Sequence, residues 1–328
     1  MKIVVTGSIA YDYLMSFPGI ISDQFLEGSL ESVSLSFLVD SMKRQRGGIA
    51  ANIAFTLGLL GGTPLVLATV GEDFEAYRTW LERHGVDTSR IVEIAHEYCA
   101  SFFCTTDRVQ NQIASFYPGA MAYAHQLSVE SHAPEADLVM VSPNDPAAML
   151  KYPEECRRLG IAFIFDPSQQ TVRFDGTQLL QGIQGSRLLT VNEYELSLIQ
   201  DKTGLSAESL LDHTQGLLLT RGSKGAWLRV DGAEYVIPAV PPRVVVEPTG
   251  AGDAFRAGLL RGMQLGLPWD ICGRMGALAA TYVLESFGPQ GHRFDSAEFV
   301  TRYRQHFDDQ GALDPLLDSA FSHIPLNR

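Results

Sequence analysis

Cysteine is scarce in this sequence. Cys99, Cys104, Cys156 and Cys272 are the only four in 328 residues, and no two of them form a C-x-x-C pair. So few in a chain of this length do not make a disulfide framework, and they read as buried or free thiols in a reducing compartment. Positive charge is short as well: 25 Lys and Arg face 38 Asp and Glu, a formal net charge of −13. That field repels phosphate backbones, so nucleic acid is not an expected partner. A small anionic ligand remains compatible, because a few aimed backbone N–H groups outweigh a diffuse field locally. No apolar stretch approaches the ~18 residues that span a bilayer, so no membrane partner is expected. Residues 1–7 run straight into a strand-like segment without a signal-peptide hydrophobic region, and the expected location is cytoplasmic. Two nucleotide-binding patterns are missing too. No segment reads G-x-x-x-x-G-K-[ST], which excludes a P-loop kinase. The first strand leads to Gly7-Ser8-Ile9-Ala10 rather than G-x-G-x-x-G, which sets aside a dinucleotide-binding oxidoreductase.

What is present is a rhythm of short apolar runs with helical patterns between them. The runs cover residues 2–6, 64–70, 138–142, 161–165, 188–191 and 217–220. Uninterrupted apolar strands are buried on both faces, which implies a mostly parallel sheet covered by helices. Residues 145–159 and 193–202 have helical length and period. The expected fold is doubly wound α/β, one domain over residues 1–328. Two stretches break the rhythm. Residues 12–45, with Ser32-Val33-Ser34-Leu35-Ser36-Phe37-Leu38-Val39, and residues 99–118 alternate polar and apolar positions. Period-two alternation means a sheet with one wet face. Together they are expected to form a small β-sheet lid over one edge of the main domain, the alternative being two edge hairpins. Asp231-Gly232 between strand-like runs marks a hairpin.

Four constellations carry chemistry. In Thr249-Gly250-Ala251-Gly252-Asp253 two glycines open a long helical pattern. The first N–H groups of a helix lack intrahelical partners and lie at the positive end of its dipole, a ready anion site. An Asp beside such a site repels a bound anion, but it makes sense as a base that takes a proton from an alcohol attacking a phosphate; a plain helix cap is the alternative. Gly47-Gly48 precede a helix whose first turn carries Asn52, a poor helix former suited to a ligand hydroxyl. Asn192 and Glu195 lie three apart at the carboxyl end of a strand. There they suit a hydrated Mg2+ carried by nucleotide phosphates, Glu195 acting through water, or else a capping box. Thr220-Arg221-Gly222-Ser223-Lys224-Gly225 is a glycine-bearing turn that fits phosphate contact or a simple hairpin.

In order and spacing these pieces resemble the ribokinase/PfkB family of carbohydrate and nucleoside kinases. Residues 47–71 fit its first signature, residues 249–258 its second, and Asn192/Glu195 its N-x-x-E motif; the likeness runs from Gly7 to about Gly291. The resemblance implies a phosphotransferase with Asp253 as base and Gly250, Ala251 and Gly252 as an anion hole. It implies Mg2+ organised by Asn192 and Glu195, and ATP phosphates bordered by Thr220, Gly222 and Gly225. Residues 279–290 look like the family's helix and loop beside the ATP base. The family usually has Asp where this chain has Glu247, a position tied in several members to a monovalent cation, so K+ activation stays open.

Residues 34–40, 104–107, 112–121, 144–146 and 166–170 look like bacterial adenosine kinases of the same fold. That likeness implies ATP-dependent phosphorylation of the adenosine 5′-hydroxyl. Ser8, Asp12, Gly48 and Asn52 would hold the ribose, since one carboxylate accepts from two vicinal hydroxyls. Phe102 and Phe116 would sandwich the purine, or else serve as lid core, and Ser36, Gln169 and Gln170 would make polar contacts. By family analogy the lids join a homodimer. The alternatives are a sugar kinase of the ribokinase or fructokinase type, a broader nucleoside kinase, and a non-catalytic binder on a kinase fold.

Overall fold

A nine-stranded sheet whose inner strands are buried on both faces builds the centre of the molecule. The computed structural model describes residues 1–24 and 35–318. In chain order the strands are β1 (Ile3–Thr6), β2 (Ala10–Ser16), β3 (Ser41–Gly47), β4 (Leu65–Val70), β5 (Ile91–Glu93), β6 (Ala100–Thr106), β7 (Gln112–Tyr117), β8 (Leu138–Val141), β9 (Ala162–Phe165), β10 (Leu188–Asn192), β11 (Gly216–Thr220), β12 (Ala226–Val230) and β13 (Ala233–Ile237). The large sheet runs β13-β12-β11-β10-β9-β8-β1-β4-β5. It is parallel from β5 to β11, and the β11–β12 and β12–β13 pairs are antiparallel. The hairpin turns on Asp231 and Gly232, both at positive φ (55° and 75°), as its Asp-Gly pair requires.

The helices are α1 (Ile49–Leu59), α2 (Glu75–Arg83), α3 (Val129–His132), α4 (Pro146–Leu159), α5 (Gly176–Ile183), α6 (Glu193–Thr203), α7 (Ala207–Leu210), α8 (Ala251–Gln264), α9 (Trp269–Leu284) and α10 (Ser296–His306). They cover two cores, one on each face of the large sheet. On one face α1, α8 and α9 pack with Phe55, Leu260 and Met275; on the other, α4, α5 and α6 pack with Tyr152, Leu179 and Ile199. No helix among the described residues is long and apolar enough to cross a membrane. The four cysteines are free and buried.

From β1 the chain goes to β4 on one side and β8 on the other. A sheet of this kind binds ligands at that reversal, beyond the carboxyl ends of its strands. Those ends carry Ser8, Asn144, Asp166, Asn192 and Thr220.

A second sheet, β3-β2-β6-β7, stands beside this edge. In the first alternating stretch the strands lie only at its two ends, whereas β6 and β7 fill most of the second. Residues 35–39 form no strand, and residues 32–34 lie outside the described residues. β2 already has β3 and β6 on its two sides, which leaves the 35–39 segment no partner there.

Candidate active site

The start of α8 is built around glycine. Gly250 has φ +86°, and a Cβ on it would lie 2.5 Å from the Cβ of Pro289. Both backbone shape and close approach therefore demand glycine. No side chain caps this helix, so its first-turn N–H groups are left for a ligand. The three expected donors narrow to fewer, because Ala251 gives its N–H to the Pro248 carbonyl at 3.2 Å.

Asp253 projects from that first turn, its side chain only 13% exposed. Its Oδ2 accepts from Asn52 Nδ2 at 2.9 Å, and its Oδ1 lies 3.9 Å from Arg256 Nη1. Burial pushes the Asp253 carboxyl upward, while Arg256 and the Asn52 hydrogen bond hold it back. The outcome is a carboxylate made more basic than usual and aimed where a helix terminus collects anions, which suits proton removal from an alcohol. Arg256 also reaches Asp166 Oδ1 at 2.7 Å; Asp166 is fully buried.

Asn52 is buried on α1. The approach to α1 is tight: Gly48 has φ +91°, and a Cβ there would meet Ala10 N and Ser8 O at 2.6 Å. Ser8 Oγ accepts the Ile49 N–H at 3.1 Å, which leaves the hydroxyl proton free to be donated.

Register places four residues in a row across the small sheet. Gln45 pairs with Asp12, Asp12 with Phe102, and Phe102 with Phe116. Paired residues point to the same face. That face meets the main domain, since Gln45 packs on Gly288 and Lys43 sits 4.3 Å over the Phe287 ring. Burial and the nearby Glu247 raise Asp12 to about 6. The two phenylalanines stand side by side on one face, which makes a platform rather than the two walls of a sandwich.

The turn after β11 borders a cavity of about 600 Å3, lined by Thr220, Gly222, Gly225, Ala251, Gly252 and, from α9, Ala277, Ala280, Thr281 and Leu284. Gly225 has φ +83°, and a Cβ would lie 2.1 Å from Ile237 O; Gly222 has open space around it. Residues 279–290 divide in two. The α9 part lines this cavity, whereas Gln290 is buried against Asn52 and Trp80.

Asn192 and Glu195 form a capping box: Asn192 Oδ1 accepts the Glu195 N–H at 2.8 Å, and Glu195 Oε2 accepts the Asn192 N–H at 2.9 Å. Each therefore spends one oxygen on the backbone. No cluster of three or more metal-ligating side chains occurs among the described residues. One free Glu195 oxygen fits a hydrated Mg2+ carried by phosphates better than an all-protein cage. Glu247 Oε2 accepts the Gly288 N–H at 2.9 Å, joining two loops of the cleft.

Three expected contacts stand apart from this group. Ser36 is exposed in the irregular 35–39 segment, whose Phe37 packs on Phe17 beyond the end of β2. Gln169 is exposed. Gln170 is buried and donates to Asn144 O at 2.7 Å. Sequence reasoning also passed over four residues that the site gathers: Asp166, Arg256, Gln290 and Trp80. Arg256 was findable, since a charge three residues after Asp253 on a helix shares its face. Trp80 comes from a segment with no motif around it, and Gln290 ends the 279–290 segment, which was expected beside the ATP base with no role for this side chain.

A glycine-opened helix N-terminus, a buried carboxylate beside it and a nucleotide-sized cavity behind it define a phosphotransferase that acts on an alcohol. The chain belongs to the pfkB family of carbohydrate kinases, whose model matches residues 2–294. It is 30% identical over 305 residues to a nucleoside kinase of Methanothermobacter thermautotrophicus, covering 92% of this chain and 95% of the relative. The structure of Burkholderia thailandensis nucleoside kinase in complex with inosine superimposes with a TM-score of 0.82 at 37% identity, covering 93% of this chain and 98% of that one. Methanocaldococcus jannaschii nucleoside kinase gives 0.82 at 27% identity, covering 93% and 99%. The fold is thus ribokinase-like.

Proposed function

We propose that this protein transfers the γ-phosphoryl group of ATP to the 5′-hydroxyl of a purine nucleoside, adenosine among them. The observation that carries this reading is the Asp12–Phe102–Phe116 row. It sets a carboxylate for a vicinal diol beside an aromatic platform, and a plain sugar needs no such platform. The nucleoside kinases similar to this chain, one of them holding inosine, support an acceptor range wider than adenosine alone.

In this reading Asp12, Asn52, Ser8 and Gly48 hold the ribose, and its 5′-hydroxyl points at Asp253. Asp253 takes the hydroxyl proton as the oxygen attacks the γ-phosphorus. The α8 N–H groups receive the charge that spreads over the transferred group. ATP lies in the cavity along Thr220, Gly222 and Gly225. Glu195 would hold a Mg2+ carried by the phosphates through water, and that ion would supply charge neutralisation there. The small sheet acts as a lid: base stacking on Phe102 and Phe116 closes it and excludes the water that would hydrolyse ATP. The exposed β7 edge, with Ile113 and Tyr117, is a surface a second copy would cover in a homodimer.

The test is a panel of nucleosides and free sugars assayed for ATP-dependent phosphorylation. Purine nucleosides should exceed ribose and fructose by orders of magnitude in kcat/KM. Equal use of ribose or fructose would overturn the nucleoside reading and leave the family assignment intact.

A further inference from the structure

Behind Asp253 runs a chain of polar groups whose far members, Gln290 and Trp80, no step above uses. Trp80 Nε1 donates to Gln290 Oε1 at 3.0 Å. Gln290 Nε2 donates to Asn52 Oδ1 at 3.0 Å. Asn52 Nδ2 donates to Asp253 Oδ2 at 2.9 Å. Each amide has two possible orientations, and the chain settles both. An indole N–H only donates, so the Gln290 carbonyl must face Trp80 and its amino group must face Asn52. A second contact fixes the same orientation independently. The Tyr77 hydroxyl gives its proton to the Gly47 carbonyl at 2.9 Å, so it can only accept from Gln290 Nε2. With a donor against its carbonyl, Asn52 turns its own amino group to Asp253. The reverse orientation would set the Asn52 oxygen against the carboxylate.

The start of the chain is held firmly. The Trp80 ring stacks on Phe55, with centroids 5.8 Å apart and 6° between planes. The guanidiniums of Arg46 and Arg293 lie 4.5 and 4.9 Å from it. Gln290 is 6% exposed and Asn52 5%, so water does not compete for these bonds.

We propose that Gln290 and Trp80 are positioning residues for the transfer step: one indole N–H, relayed through two amides, keeps an N–H donor rather than a carbonyl oxygen on Asp253. This rests on Asp253 being the base. The charged groups around Asp253 are Arg256 on its own helix and, beyond that guanidinium, Asp166 after β9 and Glu195 on α6; α1 contributes the neutral Asn52. Arg256 stays in place when the chain is cut, so the effect of the cut is read separately from charge.

The experiment measures kcat and both KM values between pH 5 and 9 for Gln290→Met, Trp80→Phe and Asp253→Asn. Gln290→Met keeps length and removes every polar atom. Trp80→Phe keeps a stacking ring and removes the donor. Losing a hydrogen bond to a charged group is worth roughly a factor of ten, so kcat of Gln290→Met should fall about tenfold at neutral pH with the KM for ATP unchanged. Because the Asn52 N–H favours the ionised form, losing it raises the carboxyl, and the acid limb of kcat should move up by about one pH unit. Trp80→Phe should move both in the same direction by less. Wild-type kcat and an unmoved acid limb in Trp80→Phe and in folded Gln290→Met would overturn the proposal, as would a change in KM alone. If Gln290→Met does not fold, Trp80→Phe decides. An Asp253→Asn variant that retained kcat would instead overturn the assignment of the base.

Discussion

Arg256 binds Asp166 at 2.7 Å while standing 3.9 Å from Asp253, so one guanidinium faces two carboxylates in a space with little solvent. Asp166 is fully buried and its Oδ2 has no hydrogen-bond partner among the described residues. Burial raises its carboxyl and Arg256 opposes this. Breaking such a pair from one side leaves a buried charge without compensation. Arg256→Leu should therefore destabilise the fold by about 3–5 kcal/mol, measured by denaturant unfolding. Arg256→Leu combined with Asp166→Asn should recover part of that loss, because the stranded charge is gone. Recovery of nothing would mean that Arg256 stabilises by packing alone.

Asp253→Asn should keep its fold and nucleotide affinity and lose about 10²–10⁴ in kcat, the usual consequence of removing a general base. Calorimetric titration with an ATP analogue checks the binding half, and turnover checks the other. A variant with near-normal kcat removes Asp253 from the mechanism.

Gly250 and Gly252 belong to one motif but answer to different constraints. Gly250→Ala combines a positive φ with a contact of 2.5 Å to Pro289, so it should destabilise by about 1–3 kcal/mol. A Cβ at Gly252 meets only the end of the Arg256 side chain, at 2.8 Å. Gly252→Val should therefore act on turnover more than on stability, lowering kcat further than it weakens acceptor binding. If only acceptor affinity fell, the transferred phosphoryl group would be held elsewhere.

Periodicity made the large sheet legible, because strands buried on both faces leave apolar runs such as Leu65–Val70 and Leu138–Val141. The small sheet was half legible. Residues 100–106 and 112–117 form strands, but the alternation around Ser36 falls on a segment that pairs with no strand among the described residues, while the true strand Ser41–Gly47 reads Ser-Met-Lys-Arg-Gln-Arg-Gly and has no apolar face to detect. At the candidate site, local motifs singled out Asp253, Gly250 and the Asn192/Glu195 pair. Groups that meet only through tertiary folding, such as Gln290 with Asn52, 238 positions earlier, leave no mark in local sequence.

The β7 strand is exposed along its whole length, with Ile113, Phe116 and Tyr117 each at least 40% open. An uncovered apolar edge invites pairing. Sedimentation at micromolar concentration should show a dimer, and Ile113→Lys should shift it toward monomer. A wild-type monomer under those conditions would refute assembly through this edge.

If Asp12 holds the ribose as proposed, it should link acceptor binding to pH. Its carboxyl is raised to about 6 by burial and by Glu247. Only the ionised form accepts from two ribose hydroxyls. Affinity for the nucleoside should thus be full above pH 6 and fall as pH drops through that value, seen as a rising acceptor KM with the KM for ATP steady. Asp12→Asn should abolish this dependence and weaken acceptor binding at every pH. Phe102 and Phe116 add a separate contribution on the same row of the sheet. Stacking is worth about 1–3 kcal/mol per base in nucleic-acid binders, so Phe102→Ala should cost adenosine roughly ten- to hundredfold in kcat/KM. Any residual ribose activity should barely move, since ribose has nothing to stack. An equal loss on both substrates would make Phe102 a structural part of the sheet and leave the purine without its platform.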